Sequence, residues 1–155
     1  MFGRIYYVST DFQTVSAAQD LLEIVNASTK VLILHGYTIM QSSDTDAELL
    51  QLLFKRGIGS TSGSGGGSPT IKKRQTGDSA NAFTAERNNT TQAVAGGGSL
   101  DTIYTDGFNV LGGGEKFWIP ENRPVFAPSE VLIISLSTPA DALTLNLTAV
   151  VEEIG

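Results

Sequence analysis

Val131-Leu132-Ile133-Ile134-Ser135-Leu136, then Thr138-Pro139-Ala140-Asp141-Ala142, then Leu143-Thr144-Leu145-Asn146-Leu147-Thr148-Ala149-Val150-Val151-Glu152: these runs, within Phe126 to Gly155, decide how the chain reads. In the second apolar run Leu143, Leu145, Leu147, Ala149 and Val151 share one parity, and Thr144, Asn146, Thr148, Val150 and Glu152 share the other. Side chains of a strand alternate between faces, so this is a strand with an apolar side and a mostly polar side. The Pro-Ala-Asp link suits a turn, because proline presets the turn dihedral and aspartate bonds back to the backbone. The expectation is an antiparallel hairpin that closes a β-sandwich.

Working outward, Lys30–Met40 reads as a strand, and Val31 to Leu34 is apolar on both parities, as expected of a central strand covered on both faces. Gly36 within it marks a bulge or a close backbone approach. Ala17–Val25 and Glu48–Arg56 fit helix or strand taken alone, and their β-rich surroundings favour strand. Met1–Thr10 reads as a first strand preceded by a short arm over about residues 1–5. Thr70–Gln75, Thr90–Val94 and Leu100–Val110 supply further strands, and Gly59–Pro69, almost without side chains to pack, reads as an exposed flexible loop. The sum is one all-β domain over residues 1–155, an antiparallel β-sandwich of jelly-roll type with about eight or nine short strands.

Composition agrees. Apolar residues make up 41% of the 155, enough for one core, while charged residues are 17%, below the roughly one quarter usual for soluble chains. The net charge of −6 argues against free nucleic-acid binding, which draws on Lys and Arg. Cysteine is absent, so thiolate chemistry and disulfides are excluded. The N-terminal stretch lacks the basic-then-apolar pattern of a signal peptide, and no apolar run approaches the roughly 20 residues that span a bilayer. A cytoplasmically made protein without membrane contact is expected.

Motifs for catalysis are sparse. The single histidine, His35, lies in an apolar strand and reads as a hydrogen-bonded core residue rather than a ligand or base. No Gly-x-Ser-x-Gly elbow accompanies it. Asp44-Thr45-Asp46-Ala47-Glu48 alternates carboxylates but lacks the rest of a calcium loop. Gly63–Ser68 lacks the lysine and helix of a phosphate loop. Lys72-Lys73-Arg74, the only basic run, reads as a solvated strand face or a contact for an acidic partner. No catalytic, cofactor or metal residue is expected. Partner contact is expected where large side chains fall near termini or loops: Phe2, Tyr6 and Tyr7, and Phe117, Trp118 and Arg123 within Phe117–Arg123. Packing is the competing reading for the aromatics, and a lectin-like sugar platform built on Trp118 and tyrosines is the alternative function.

Several short segments together resemble a family of small tailed-phage and prophage structural proteins: Gln19-Asp20-Leu21-Leu22-Glu23-Ile24, Gln41-Ser42-Ser43-Asp44, Phe83-Thr84-Ala85-Glu86 with Asn88-Asn89-Thr90-Thr91, and Pro139-Ala140-Asp141-Ala142-Leu143-Thr144 before Glu152-Glu153-Ile154-Gly155. The resemblance implies a capsid decoration, or cement, protein, with head-fibre or tail component as variants. It implies a place on the capsid surface of the virion, the major capsid protein as partner, self-association as a trimer, and no catalytic residues.

Overall fold

The computed structural model describes residues 3–43 and 46–155. Among them the strands are β1 (Arg4–Ser9), β2 (Gln13–Val15), β3 (Gln19–Val25), β4 (Val31–Gln41), β5 (Leu49–Ile58), β6 (Thr70–Lys73), β7 (Thr84–Asn89), β8 (Ser99–Asn109), β9 (Gly114–Phe117), β10 (Val125–Phe126), β11 (Glu130–Leu136) and β12 (Leu143–Ile154). One 3-10 turn, Pro120–Asn122, separates β9 from β10. Twelve strands replace the eight or nine expected: β2, β9 and β10 are too short to carry a hydrophobic period, and β7 lies in a polar stretch that shows none.

All pairings are antiparallel, and they form two sheets. The larger has the order β10-β4-β12-β1-β6, with β9 also on β4 and β2 on β12; the smaller has the order β7-β3-β11-β5-β8. The chain crosses from sheet to sheet at each step from β1 through β3 and β4 to β5, and again from β11 to β12. Within the sheets, β1-β12-β4-β9 faces β3-β11-β5-β8, which is the eight-strand jelly roll. The excursion between β5 and β8 adds β6 beyond β1 and β7 beyond β3, widening both sheets on the same side.

The expected C-terminal hairpin is not formed. β11 pairs with β3 and β5 in the smaller sheet, while β12 pairs with β1, β2 and β4 in the larger one. The Pro139 link therefore carries the chain across the sandwich. Alternation names the buried face of a strand but not its neighbour, so two adjacent strands facing one core look alike whether paired or stacked.

The inner faces meet in one core. From β12 it takes Leu143, Leu145, Leu147, Ala149 and Val151, and from the smaller sheet Leu22, Ile24, Leu52, Phe54, Leu132 and Ile134, all at most 2% exposed. Each fully buried Leu, Ile, Val or Phe contributes about 1.5–3 kcal/mol. Glu153 continues the inner parity of β12 at the core's edge, where Arg4 pairs with it at 2.8 Å and the Ala82 N–H donates to it at 2.7 Å. Arg4 and Ile5 belong to β1, which shortens the expected arm.

A second, smaller apolar layer covers the outside of the smaller sheet: Val131 and Ile133 of β11 pack with Ala93, Val25 and Leu100. Thr90–Val94 makes isolated bridges rather than a strand. The Gly/Ser segment 59–69 runs beside it, largely exposed as expected but tied by three bridges, Thr61 to Val94, Ser64 to Thr91 and Gly67 to Arg87. Gly63 is the buried point of that segment; a Cβ there would stand 2.7 Å from Thr91 O. Two buried acids fasten this cover: Glu23 accepts from Gly63 N at 2.9 Å, and Asp20 accepts from Ala93 N at 2.7 Å and from the Ser135 hydroxyl.

Candidate functional site: the open face of the larger sheet

β4 and β11 share a sequence signature, apolar on both parities. β11 is buried on both faces by the cover just described. β4 is not. Leu32, Leu34 and Tyr37 enter the core, but Val31, Ile33 and Thr38 are half-buried and Met40 is 49% exposed on the outer face. The expectation that β4 is covered on both sides is thus corrected, and its outer apolar residues become surface.

Register assembles that surface into rows. Phe117, Gly36, Val150, Tyr7 and Lys72 lie side by side across β9, β4, β12, β1 and β6. The next row is Val125, Ile33, Glu152 and Ile5, and the hydrogen bond from Arg74 N to Ile5 O places Arg74 at its end. Phe117 is 57% exposed, Val125 47% and Tyr7 40%. Three apolar side chains half open to water on one sheet face make a contiguous patch of the kind that marks an interaction site.

A β-bulge shapes the middle of this face. Val150 pairs with Gly36 and Val151 with Leu34, which leaves His35 as the extra residue. The bulge turns His35 outward, where its Nε2 lies 2.7 Å from Glu152 Oε2. His35 is therefore hydrogen-bonded, as expected, but on the outer face and not in the core. Glu152 Oε1 accepts from Gly3 N at 2.9 Å, so both its oxygens are engaged. Gly36 also meets its expectation: a Cβ there would run into Lys116 O and the Phe117 ring.

Of the residues expected at a partner contact, Tyr7 and Phe117 share one row, and Arg123 borders the depression beside His35 and Glu152. Tyr6 faces the other way; it is fully buried, edge-on to Phe83 with ring centroids 5.6 Å apart, and has no surface to present. Trp118 is half-buried between the sheets, edge-on to Phe54 at 5.8 Å and to Tyr104 at 5.5 Å, with Lys116 Nζ 5.9 Å from its ring centre. Phe2 lies outside the described residues, as do Asp44 and Thr45 of the acidic loop. Sequence reasoning missed Val125, Ile33 and Val150. The available signal was the second apolar parity of β4, which needs a cover or a partner.

Beside Trp118, the Tyr37 hydroxyl donates to Asp106 Oδ2 at 2.6 Å and ties β4 of one sheet to β8 of the other. Burial first, then this bond and the Asp106 charge, push the Tyr37 phenol far above the usual tyrosine range. The bond is a structural tie rather than a poised acid. Among the described residues no group of three or more His, Asp or Glu is placed to hold a metal ion, and no helix is long and apolar enough to cross a membrane.

Comparison with family models, with curated proteins and with solved structures gives no match to this chain.

Proposed function

We propose that this protein acts by docking the open face of its larger sheet onto another protein, as a structural component of a tailed-phage virion of the capsid-decoration kind. The observation that carries the reading is the asymmetry between the two outer faces. In the smaller sheet two loops and two buried acids cover Val131 and Ile133 of the central strand β11 and leave only strand-end residues such as Leu49 and Ile58 open, while in the larger sheet Phe117, Val125 and Tyr7 stand open around the central strands. Covering that face by a partner removes apolar surface from water at roughly 25 cal/mol per Å². The segment resemblance supplies the partner: the major capsid protein, bound on the outside of the shell, with copies of this chain associating as a trimer.

In this reading the work is non-enzymatic. A small protein that binds the assembled shell and not its separated subunits stabilises the shell by mass action, and a trimer multiplies weak single contacts. Carbohydrate binding has less support, because the half-buried Trp118 ring is committed to packing against Tyr37, Phe54 and Tyr104. Cosedimentation with capsid shells assembled without the protein tests the proposal. Saturable binding supports it, and no binding to shells at any stage of maturation refutes it.

A further inference from the structure

At the end of the Ile33–Glu152–Ile5 row the open face dips into a depression of about 500 Å³, lined by Arg4, His35, Arg74, Asp78, Arg123 and Glu152 among others. Half of these side chains are already engaged. Arg4 pairs with Glu153, and Glu152 is occupied by His35 and Gly3 N. Two guanidinium groups remain. Arg74 is exposed and makes no side-chain hydrogen bond or ion pair among the described residues, and Arg123 uses only its Nε, in a long 3.4 Å bond to Trp118 O. Against them stands one uncommitted carboxylate, that of Asp78.

We propose that this depression receives a single carboxylate side chain, Asp or Glu, of the docking partner, held between Arg74 and Arg123 while the apolar row covers the adjoining part of the same partner. The inference rests on the docking reading and gives its chemistry. Two free cations facing one free anion leave room for one further negative charge. A planar carboxylate accepts the paired N–H groups of an arginine fork. A phosphate dianion fits less well, because Glu152 and Asp78 repel its second charge. Ile5 and Val150 nearby exclude water once the patch is covered, which strengthens the ion contact. The site therefore supplies what the apolar row lacks, a fixed register for the partner.

Two measurements test this. In the first, N-acetylglutamate methylamide is titrated into the intact protein while the arginine side-chain Nε–H resonances are followed, with inorganic phosphate in a parallel titration. Saturable shifts confined to Arg74 and Arg123 are expected, with weaker binding at the arginine that remains in each of Arg74→Gln and Arg123→Gln. Absence of saturation with the glutamate probe, or tighter binding of phosphate, overturns the proposal. In the second, shell binding is compared for Arg74→Glu, Arg123→Glu, Tyr7→Ala and Phe117→Ala. At least a tenfold loss in each charge reversal is expected. Wild-type binding by both charge reversals, with loss in the two aromatic variants, overturns the carboxylate site and leaves the docking face standing. Wild-type binding by all four overturns both.

Discussion

The ring of Phe117 on β9 rests on the bare Cα of Gly36 on β4, in the space a Cβ would fill. The contact sets how far the exposed aromatic stands from the sheet. It also lets β9 pair with β4 directly after the bulge at His35. Gly36→Val forces the Lys116 carbonyl and the Phe117 ring away together. We expect a loss of about 1–3 kcal/mol in urea unfolding, from overpacking against backbone. Phe117→Ala, in contrast, opens space on the solvent side and leaves stability within about 0.5 kcal/mol.

The tie between Tyr37 and Asp106 predicts a specific alkaline behaviour. Burial raises the Tyr6 phenol as well. Both groups therefore have folded-state values above the unfolded value of 10.0. The unfolded chain loses these protons first, so the folded state binds more protons above pH 10.0, and stability falls as pH rises from there. Below that pH the contribution is fully present. Absorbance at the phenolate band should show fewer than the four tyrosines ionising while the protein is folded, with the remainder appearing only on unfolding. Tyr37→Phe should flatten the alkaline fall and cost about 1–2 kcal/mol near neutrality, since it leaves a charged acceptor without its partner.

Glu23 predicts how the Gly/Ser segment is held. Its carboxylate is 2% exposed and accepts from Gly63 N and from the Asn89 amide. Glu23→Ala removes the acceptor under Gly63. Amide hydrogen exchange at Gly63 and Ser64 should quicken at least tenfold, with a loss of about 1–3 kcal/mol in global stability. Unchanged protection at Gly63 would mean that the bridges to Arg87, Thr91 and Val94 fix the segment without Glu23.

Leu147 sits fully buried at the centre of the stretch from which the sandwich was read. Leu147→Ala should cost about 2–5 kcal/mol, as a cavity between two sheets that collapses only in part. Thr148→Ala, one residue along on the outer parity, should change stability by less than about 0.5 kcal/mol. Denaturation midpoints of the two variants check the parity directly.

The alternation of Leu143 to Val151 made the sandwich legible, since period two exposes which side chains share a face. The same pattern could not say that β11 and β12 lie in different sheets, because pairing partners are set by the whole set of crossovers rather than by either strand. The docking face was legible in pieces. Tyr7, Phe117 and Arg123 were open to a reading as contact residues from their size and position, but their meeting on one face depends on β9, β4, β12 and β1 being neighbours. Tyr6 and Tyr7 are adjacent in the chain and point to opposite sides, so that pair could be divided only once the register was known. The outward turn of His35 followed from a bulge that no periodicity reports, although Gly36 beside it was its visible trace.

The open face of the larger sheet is tested most directly by shell binding of the Tyr7→Ala/Phe117→Ala double variant, measured beside Val94→Ala, an exposed apolar change on the cover of the smaller sheet. The aromatic pair should weaken binding by tenfold or more, as loss of about 2 kcal/mol at a hot spot does, with its unfolding midpoint unchanged. Val94→Ala should bind as wild type. Wild-type affinity in the double variant, or a greater loss in Val94→Ala, would contradict the account.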